Sequence, residues 1–244
     1  MIVVSAGMPR SGTGWIYNLT NDLLVASGQP PALEIRRRYR LARVLREHNC
    51  NVGRPSGVKL LALTVPHLLG RSLAVKTHRR PTPAIRAWVA LRVAKATYIY
   101  RDPRDVVVSA FEAGKSFRDR GVDKSFARLE TVEMAIDAVT RWLRGWQAWT
   151  SLKRVLEVRY EDWASDSQPQ LRRLRDYLGL GVDDQTLQRI SARYEKGHRV
   201  VGAHLRRGGS GRFLEVLSPQ QIELCHHKFG SMLARMGYDS DTVG

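Results

Sequence analysis

The first fifteen residues restrict this chain most. Ile2-Val-Val-Ser-Ala6 is a short run of β-formers that stops at a glycine and reads as a buried strand. It leads into Gly7-Met-Pro-Arg-Ser-Gly-Thr-Gly14. Beyond that loop Trp15, Ile16, Leu19, Leu23 and Leu24 recur at spacings of three and four, which predicts a helix over 14–26. Strand, glycine-rich loop and helix in that order let the backbone approach an anion, and the helix start supplies N–H groups and a positive dipole end. Two readings of the loop stay open at this point: a phosphate cradle, or an ordinary glycine-rich turn. A magnesium-dependent NTPase is disfavoured. Gly7 and Gly12 fit the G-x-x-x-x-G-K-[ST] pattern, but Thr13 stands where its lysine belongs and Gly14 where its magnesium-binding hydroxyl belongs. The loop's cation is Arg10 instead.

Further along, Gln29-Pro30-Pro31 breaks the first helix, and a second is predicted over 33–47 with Ile35, Tyr39, Ala42 and Leu45 on one face. Strands are predicted at 73–76, 97–100 and 155–159. Asp102-Pro103 opens a helix with Asp as N-cap and Pro at its first position. The stretch 122–152 reads as largely helical, and Ser218-Pro-Gln-Gln221 starts a last helix with a capping-box pattern. No internal repeat, low-complexity tract or linker interrupts this order. Strands alternating with helices predict a single α/β domain over 1–244, with a central, mostly parallel sheet flanked by helices. Ligands of such folds sit beyond the carboxyl ends of the strands.

Composition adds one demand. Forty Lys and Arg against 23 Asp and Glu give a net charge of +17 and a pI near 10.6, which calls for an anionic partner: nucleic acid, a membrane surface or a phosphate-bearing ligand. An apolar fraction of 43% is that of a folded globular chain. No run approaches the ~20 apolar residues that span a bilayer. The opening segment is too short for a signal peptide's apolar region. Cys50 and Cys225 lack metal-ligand spacing, so a reducing, cytoplasmic setting is expected.

Three segments taken together are more specific than any one of them: Pro9-Arg-Ser-Gly-Thr-Gly-Trp15, Val75-Lys-Thr-His78, and Tyr98-Ile-Tyr-Arg-Asp-Pro-Arg-Asp-Val-Val-Val-Ser109. In this order they resemble the cytosolic-type sulfotransferases that use 3′-phosphoadenosine 5′-phosphosulfate (PAPS), a family with a P-loop-like nucleotide-binding fold. The resemblance extends to Val158-Arg-Tyr-Glu-Asp162 and to Leu205-Arg-Arg-Gly-Gly-Ser-Gly211, and so covers nearly the whole chain. It implies that Arg10, Ser11, Gly12, Thr13, Gly14 and Trp15 hold the 5′-phosphosulfate, and that Arg101 and Ser109 grip the 3′-phosphate. It implies also that Tyr160 lies near the adenine and that Arg206, Arg207 and Gly208 close over the 3′-phosphate. His78 becomes the general base of an in-line transfer to a hydroxyl or amine. Lys76 and Arg10 then meet the charge on the transferring and leaving groups, 3′,5′-adenosine bisphosphate is the product, and no metal is needed. The chain departs from the family in carrying Arg at 10 and 207 where Lys is usual, and Arg212-Phe-Leu-Glu215 where D-W-K-N is usual.

The acceptor is not named by these segments; a small molecule, a glycan or a lipid-linked acceptor all fit. Arg79 and Arg80, directly after His78, suit an acceptor with a carboxylate, phosphate or sulfate, or are solvated residues beside an entrance. The arginines of 36–46 lie opposite their helix's apolar stripe and suit an anionic membrane or carrier, or plain exposure. Trp142, Trp146 and Trp149 read as a core stripe rather than an acceptor platform. Tyr194 is an adenine-packing, core or surface residue, and Arg104 faces solvent or pairs with an acid. A small P-loop kinase is the competing enzyme, lacking here its lysine and hydroxyl. A nucleic-acid-binding protein would explain the charge but shows no zinc spacing or RRM motif. Oligomeric state is left open.

Overall fold

A computed structural model describes residues 1–46, 48–195 and 210–238. Four strands run through it: β1 (Ile2–Gly7), β2 (Leu73–Thr77), β3 (Ala94–Tyr100) and β4 (Val155–Arg159). The helices before β3 are α1 (Thr13–Ala26), α2 (Ala32–Arg38), α3 (Gly57–Leu68) and α4 (Pro83–Ala90). After it come α5 (Pro103–Arg118), α6 (Val132–Thr150), α7 (Tyr160–Ser165), α8 (Ser167–Leu178) and α9 (Asp184–Glu195). The chain finishes with α10 (Phe213–Val216), α11 (Pro219–Phe229) and α12 (Ser231–Arg235). The predicted α/β class holds: the sheet is parallel throughout, in the order β2-β1-β3-β4.

The described residues fall into two compact units. The first takes Met1–Met8, Gly12–Tyr100 and the described residues from Gly145 to 195. It contains the whole sheet. β1 lies between β2 and β3, and every one of its residues is buried, which is why Ile2 to Ala6 reads as a continuous run without alternation. The strand order reverses at β1, so the crevice of this parallel sheet opens at the carboxyl ends of β1 and its neighbours. Ile16, Leu19, Leu23 and Leu24 bury the inner face of α1, and Trp149 fills the core with no exposed surface. Of the tryptophans read as a core stripe, Trp146 and Trp149 are buried and Trp142 is half-buried. On α8, the Tyr177 hydroxyl accepts from Ala96 N (2.9 Å) and reaches the carbonyls of Ala96 and Arg154 (2.8 Å each), holding the starts of β3 and β4.

The second unit comprises Pro9–Ser11, Arg101–Arg144 and the described residues from 210 onward. Its axis is α5, started by Asp102, whose carboxylate accepts from Arg104 N (2.8 Å). Val106, Val107, Val108 and Ala110 are buried along it. At Gly114 a Cβ would meet the Phe126 carbonyl at 2.5 Å, so only glycine lets α5 approach the 3-10 turn Ser125–Arg128 so closely. The capping box predicted at Ser218 is present on α11. The helix opened there ends at Phe229, because Gly230 leaves helical geometry (φ 44°, ψ −131°) before α12 begins.

One predicted element is corrected. The basic helix expected over 33–47 ends at Arg38, and Arg40 takes a left-handed conformation (φ 53°) ahead of a 3-10 turn at Leu41–Arg43. The expected stripe would have buried Ala42, yet Ala42 is exposed and Leu41 is buried. Breaking the helix turns both Leu41 and Leu45 into the core, and Arg36 Nε secures the fold-back by donating to the Leu45 carbonyl (2.8 Å). There is therefore no continuous 36–46 helix to lie on a membrane. The helices α3, α4, α7, α8, α9 and α10 lie in stretches where no helix was predicted.

Removing the Tyr177 hydroxyl leaves the buried N–H of Ala96 without its acceptor. Tyr177→Phe is expected to cost about 1–3 kcal/mol in urea unfolding, and an unchanged midpoint would show that this clamp does not hold the strands.

Candidate active site

In the first unit, the strand–loop–helix junction is built around two glycines. A Cβ on Gly7 would fall 2.5 Å from Ile99 Cγ2 and 2.6 Å from Thr13 Oγ1, so β1 and β3 close together only with glycine there. Gly12 is left-handed (φ 87°), and a Cβ on it would meet the Tyr160 ring at 3.0 Å. Thr13 Oγ1 donates to the Met8 carbonyl (3.1 Å) and pins the loop. Gly12 gives α1 no side-chain cap, and no acidic residue stands in the first turn. The amides of Thr13 and Gly14 thus begin a helix whose positive end has no built-in anion. Trp15 packs edge-on against Tyr160 (6.0 Å between centroids) and Trp163 (5.8 Å), which brings the loop's aromatic and the start of α7 together.

Lys76 and His78 come from the next strand. Lys76, in register with Ser5 of β1, is half-buried, and desolvation lowers its pKa to about 8. His78 follows the last residue of β2, and its Nδ1 donates to the Gly7 carbonyl (3.0 Å). A carbonyl only accepts, so the proton sits on Nδ1 and Nε2 keeps its lone pair. The His78 pKa is pushed down to about 4 by desolvation and by Lys76, with a smaller push from Arg79, while the Gly7 carbonyl acts in the opposite sense. The residue is also open to solvent, which limits the desolvation; the two cations act in the same downward direction. His78 is therefore neutral at pH 7. Arg79 and Arg80 are exposed, and the Arg79 carbonyl accepts from Trp149 Nε1 (2.9 Å). Tyr194 is a buried tyrosine that donates to Asp22 Oδ2 (2.9 Å) beside a cavity of about 700 Å³ lined also by Asn18 and Asn21.

The second unit holds the other cations. Arg10 stands in a left-handed conformation (φ 68°). Its Nε donates to Ser109 Oγ (3.1 Å), and its guanidinium lies 5.8 Å from the Phe126 ring centroid. Ser11 is fully buried, and its Oγ has no hydrogen-bond partner among the described residues. Arg101 is buried and pairs with Asp105 (3.3 Å). Arg104, three residues on, is used differently: it chelates Asp102 (2.8 Å) and lies 4.1 Å over the Phe213 ring. Pairing with an acid was one of its two expected fates.

Asp105 is the residue that motif reading missed. Its fully buried carboxylate takes Arg101 on one side, and on the other accepts from Gly211 N (3.0 Å) and Phe213 N (3.1 Å). Burial raises its pKa against the pull of Arg101. It thus ties the strand-end arginine to the chain just after the 205–211 segment. Arg206, Arg207 and Gly208 lie outside the described residues. Among the described residues, no three His, Cys, Asp or Glu side chains are grouped to hold a metal ion.

Residues 2–237 match the sulfotransferase domain family. Sulfotransferase 1A1 of Bos taurus is 28% identical over 192 residues, 76% of this chain and 61% of that protein. Omega-hydroxy-beta-dihydromenaquinone-9 sulfotransferase Stf3 of Mycobacterium bovis is 29% identical over 171 residues, 67% of this chain and 41% of that protein. The chain thus spans less than two thirds of the length of these curated relatives. Mouse sulfotransferase SULT7A1, whose crystal structure is complexed with PAP, shares the fold at a TM-score of 0.61 and 17% identity, over 96% of this chain and 84% of the mouse chain. With the match running from Ile2 to Gly237 across the parallel sheet and its glycine loop, this chain belongs to the sulfotransferase domain family.

Proposed function

We propose that the chain transfers a sulfuryl group from PAPS to a hydroxyl or amine of a small-molecule, glycan or lipid-linked acceptor. The observation that carries this reading is the hydrogen bond from His78 Nδ1 to the Gly7 carbonyl, which orients the ring beside the loop's first glycine; with burial and Lys76 holding the imidazole neutral, Nε2 is left as the acceptor. The mouse relative's PAP supports it too, since PAP is 3′,5′-adenosine bisphosphate, the remainder of PAPS after transfer.

The residues present fit such a donor. The start of α1 has no side-chain cap and no acid, and the Ser11 hydroxyl has no partner among the described residues; both suit a polyanion. Bound PAPS supplies a sulfuryl group on a phosphate leaving group. The protein's part is positioning and charge compensation. His78 Nε2 takes the acceptor proton as the new bond to oxygen or nitrogen forms. Lys76 offsets the charge of the transferring group, and Arg10 with the loop amides meets the charge that develops on the leaving oxygen. Trp15 and Tyr160 offer aromatic surface to the adenine, and Arg101 and Ser109 take the 3′-phosphate. Because Ser109 is already hydrogen-bonded to Arg10, these two act as a pair, and Asp105 acts through Arg101 as a positioning residue. Arg206, Arg207 and Gly208 complete the 3′-phosphate grip in this reading.

Labelled-donor assays test the reaction. His78→Ala is expected to lose at least ~10²-fold in kcat, as removal of a general base does; transfer at the unmodified rate would remove His78 from the mechanism. In the intact enzyme the neutral fraction of His78 falls as pH drops through about 4, and Lys76 loses its charge as pH rises through about 8. The rate should therefore plateau between those values, and an acidic limb near the ordinary histidine value would contradict the site's electrostatics. Asp105→Asn puts an amide where two N–H groups and a guanidinium need an acceptor. It should raise the donor KM about 10-fold or more with a smaller change in kcat, whereas an unchanged KM with lowered stability alone would reduce Asp105 to a structural role. Arg79→Ala with Arg80→Ala should raise the acceptor KM more than the donor KM if the acceptor is anionic, and leave it unchanged if the two arginines are only solvated.

A further inference from the structure

We propose that the outer face of α3 is a docking surface for an anionic lipid bilayer. The inner face of this helix is ordinary: Leu60, Leu63 and Pro66 are buried against the first unit. The outer face is not. Val58 (80% exposed), Leu61 (66%), Val65 (51%) and Leu68 (80%) follow one another at spacings of three, four and three, with Leu69 (61%) just past the end. At 3.6 residues per turn they fall within an arc of about 100° on one side of the helix. A surface helix normally gives that arc to charged and polar residues. Here it is the most concentrated exposed apolar feature among the described residues, and such a continuous patch marks an interaction site.

Charge selects the occupant. From residue 48 to residue 101 the chain contains ten Lys and Arg and no Asp or Glu. Arg54, Arg79, Arg80, Arg86 and Arg92 of this stretch are exposed. An apolar arc on a helix set within an acid-free, basic stretch of chain has the composition of a helix that lies in a bilayer interface, with its side chains among the acyl chains and cations of the same stretch at anionic headgroups. A second copy is a poor fit, because self-pairing on this face would oppose two such acid-free stretches on chains of +17 each. The surface lies on the chain only, not through a membrane: no described helix is long and apolar enough to cross one. The membrane contact first sought in 36–46 is thus assigned to a different element, and the assignment does not depend on the transfer reaction.

Flotation of the full chain with phosphatidylcholine vesicles, with and without roughly a third phosphatidylglycerol, tests this. The chain should float with the anionic vesicles, far less with phosphatidylcholine alone, and less again as salt is raised. Leu61→Ser with Leu68→Ser should weaken binding at least ~10-fold while the melting temperature stays unchanged. Arg54→Ser with Arg92→Ser, both at exposed positions, gives an independent variant that should weaken binding severalfold through charge alone. No flotation with anionic vesicles, equal flotation with the neutral ones, or binding undiminished in both double variants would overturn the proposal. A dimer in sedimentation that the leucine pair of substitutions returns to monomer would also overturn it, by giving the face to a second copy.

Discussion

At the carboxyl end of β1 the backbone runs so close to β3 that a Cβ on Gly7 would sit 2.5 Å from the Ile99 side chain, and the carbonyl of that same glycine accepts from Nδ1 of His78, the residue just after β2. Three strands therefore meet at one residue. The close approach sets where the loop leaves the sheet, and the loop sets where α1 starts with its uncapped amides. The carbonyl sets the tautomer of the imidazole. A side chain at position 7 would push β3 or Thr13 away and move the carbonyl with it, so the loop and the His78 imidazole cannot be altered separately. Fixed geometry of this kind, with little left to rearrange, is what the proposed transfer of a charged group would ask of a protein.

Electrostatics differ between the two units. Around α5 each buried arginine has a carboxylate that orients it: Arg101 with Asp105, Arg104 with Asp102. Such pairing fixes direction more than it adds stability, since desolvation offsets much of the attraction. Around His78, burial and the neighbouring cations Lys76 and Arg79 keep the imidazole neutral, and burial makes Lys76 easier to deprotonate than a lysine in water. The high net charge is thus put to separate uses. Some of it is ordered by acids along α5, some lies beside His78, and some, over the acid-free stretch 48–101, remains at the surface.

What could be read from the sequence was what strand ends dictate. The loop after β1, the histidine after β2 and the arginine after β3 are each placed at a strand end by a local pattern. What could not be read depends on distant partners. Asp105 looks like the second acid of a helix start until Gly211 and Phe213, more than a hundred residues later, donate to it. Arg10 looks like a simple loop cation until Ser109 is found at its Nε. The expected helix over 33–47 failed because its periodicity was followed through Ala42, while burial of Leu41 and Leu45 outweighed the left-handed turn at Arg40. The outer stripe of α3 is invisible to periodicity for the opposite reason: with apolar residues on both faces, the sequence alone cannot say which face the protein covers.

The central claim is that this site is built for an adenosine nucleotide carrying a 3′-phosphate. Its most direct test is the melting temperature of the chain with 3′,5′-adenosine bisphosphate, compared with magnesium ATP and with duplex DNA. At about a hundredfold excess over its dissociation constant, the bisphosphate should raise the midpoint by roughly 5–10 °C, with little response to the other two. An equal or larger shift with magnesium ATP or with DNA would contradict the account.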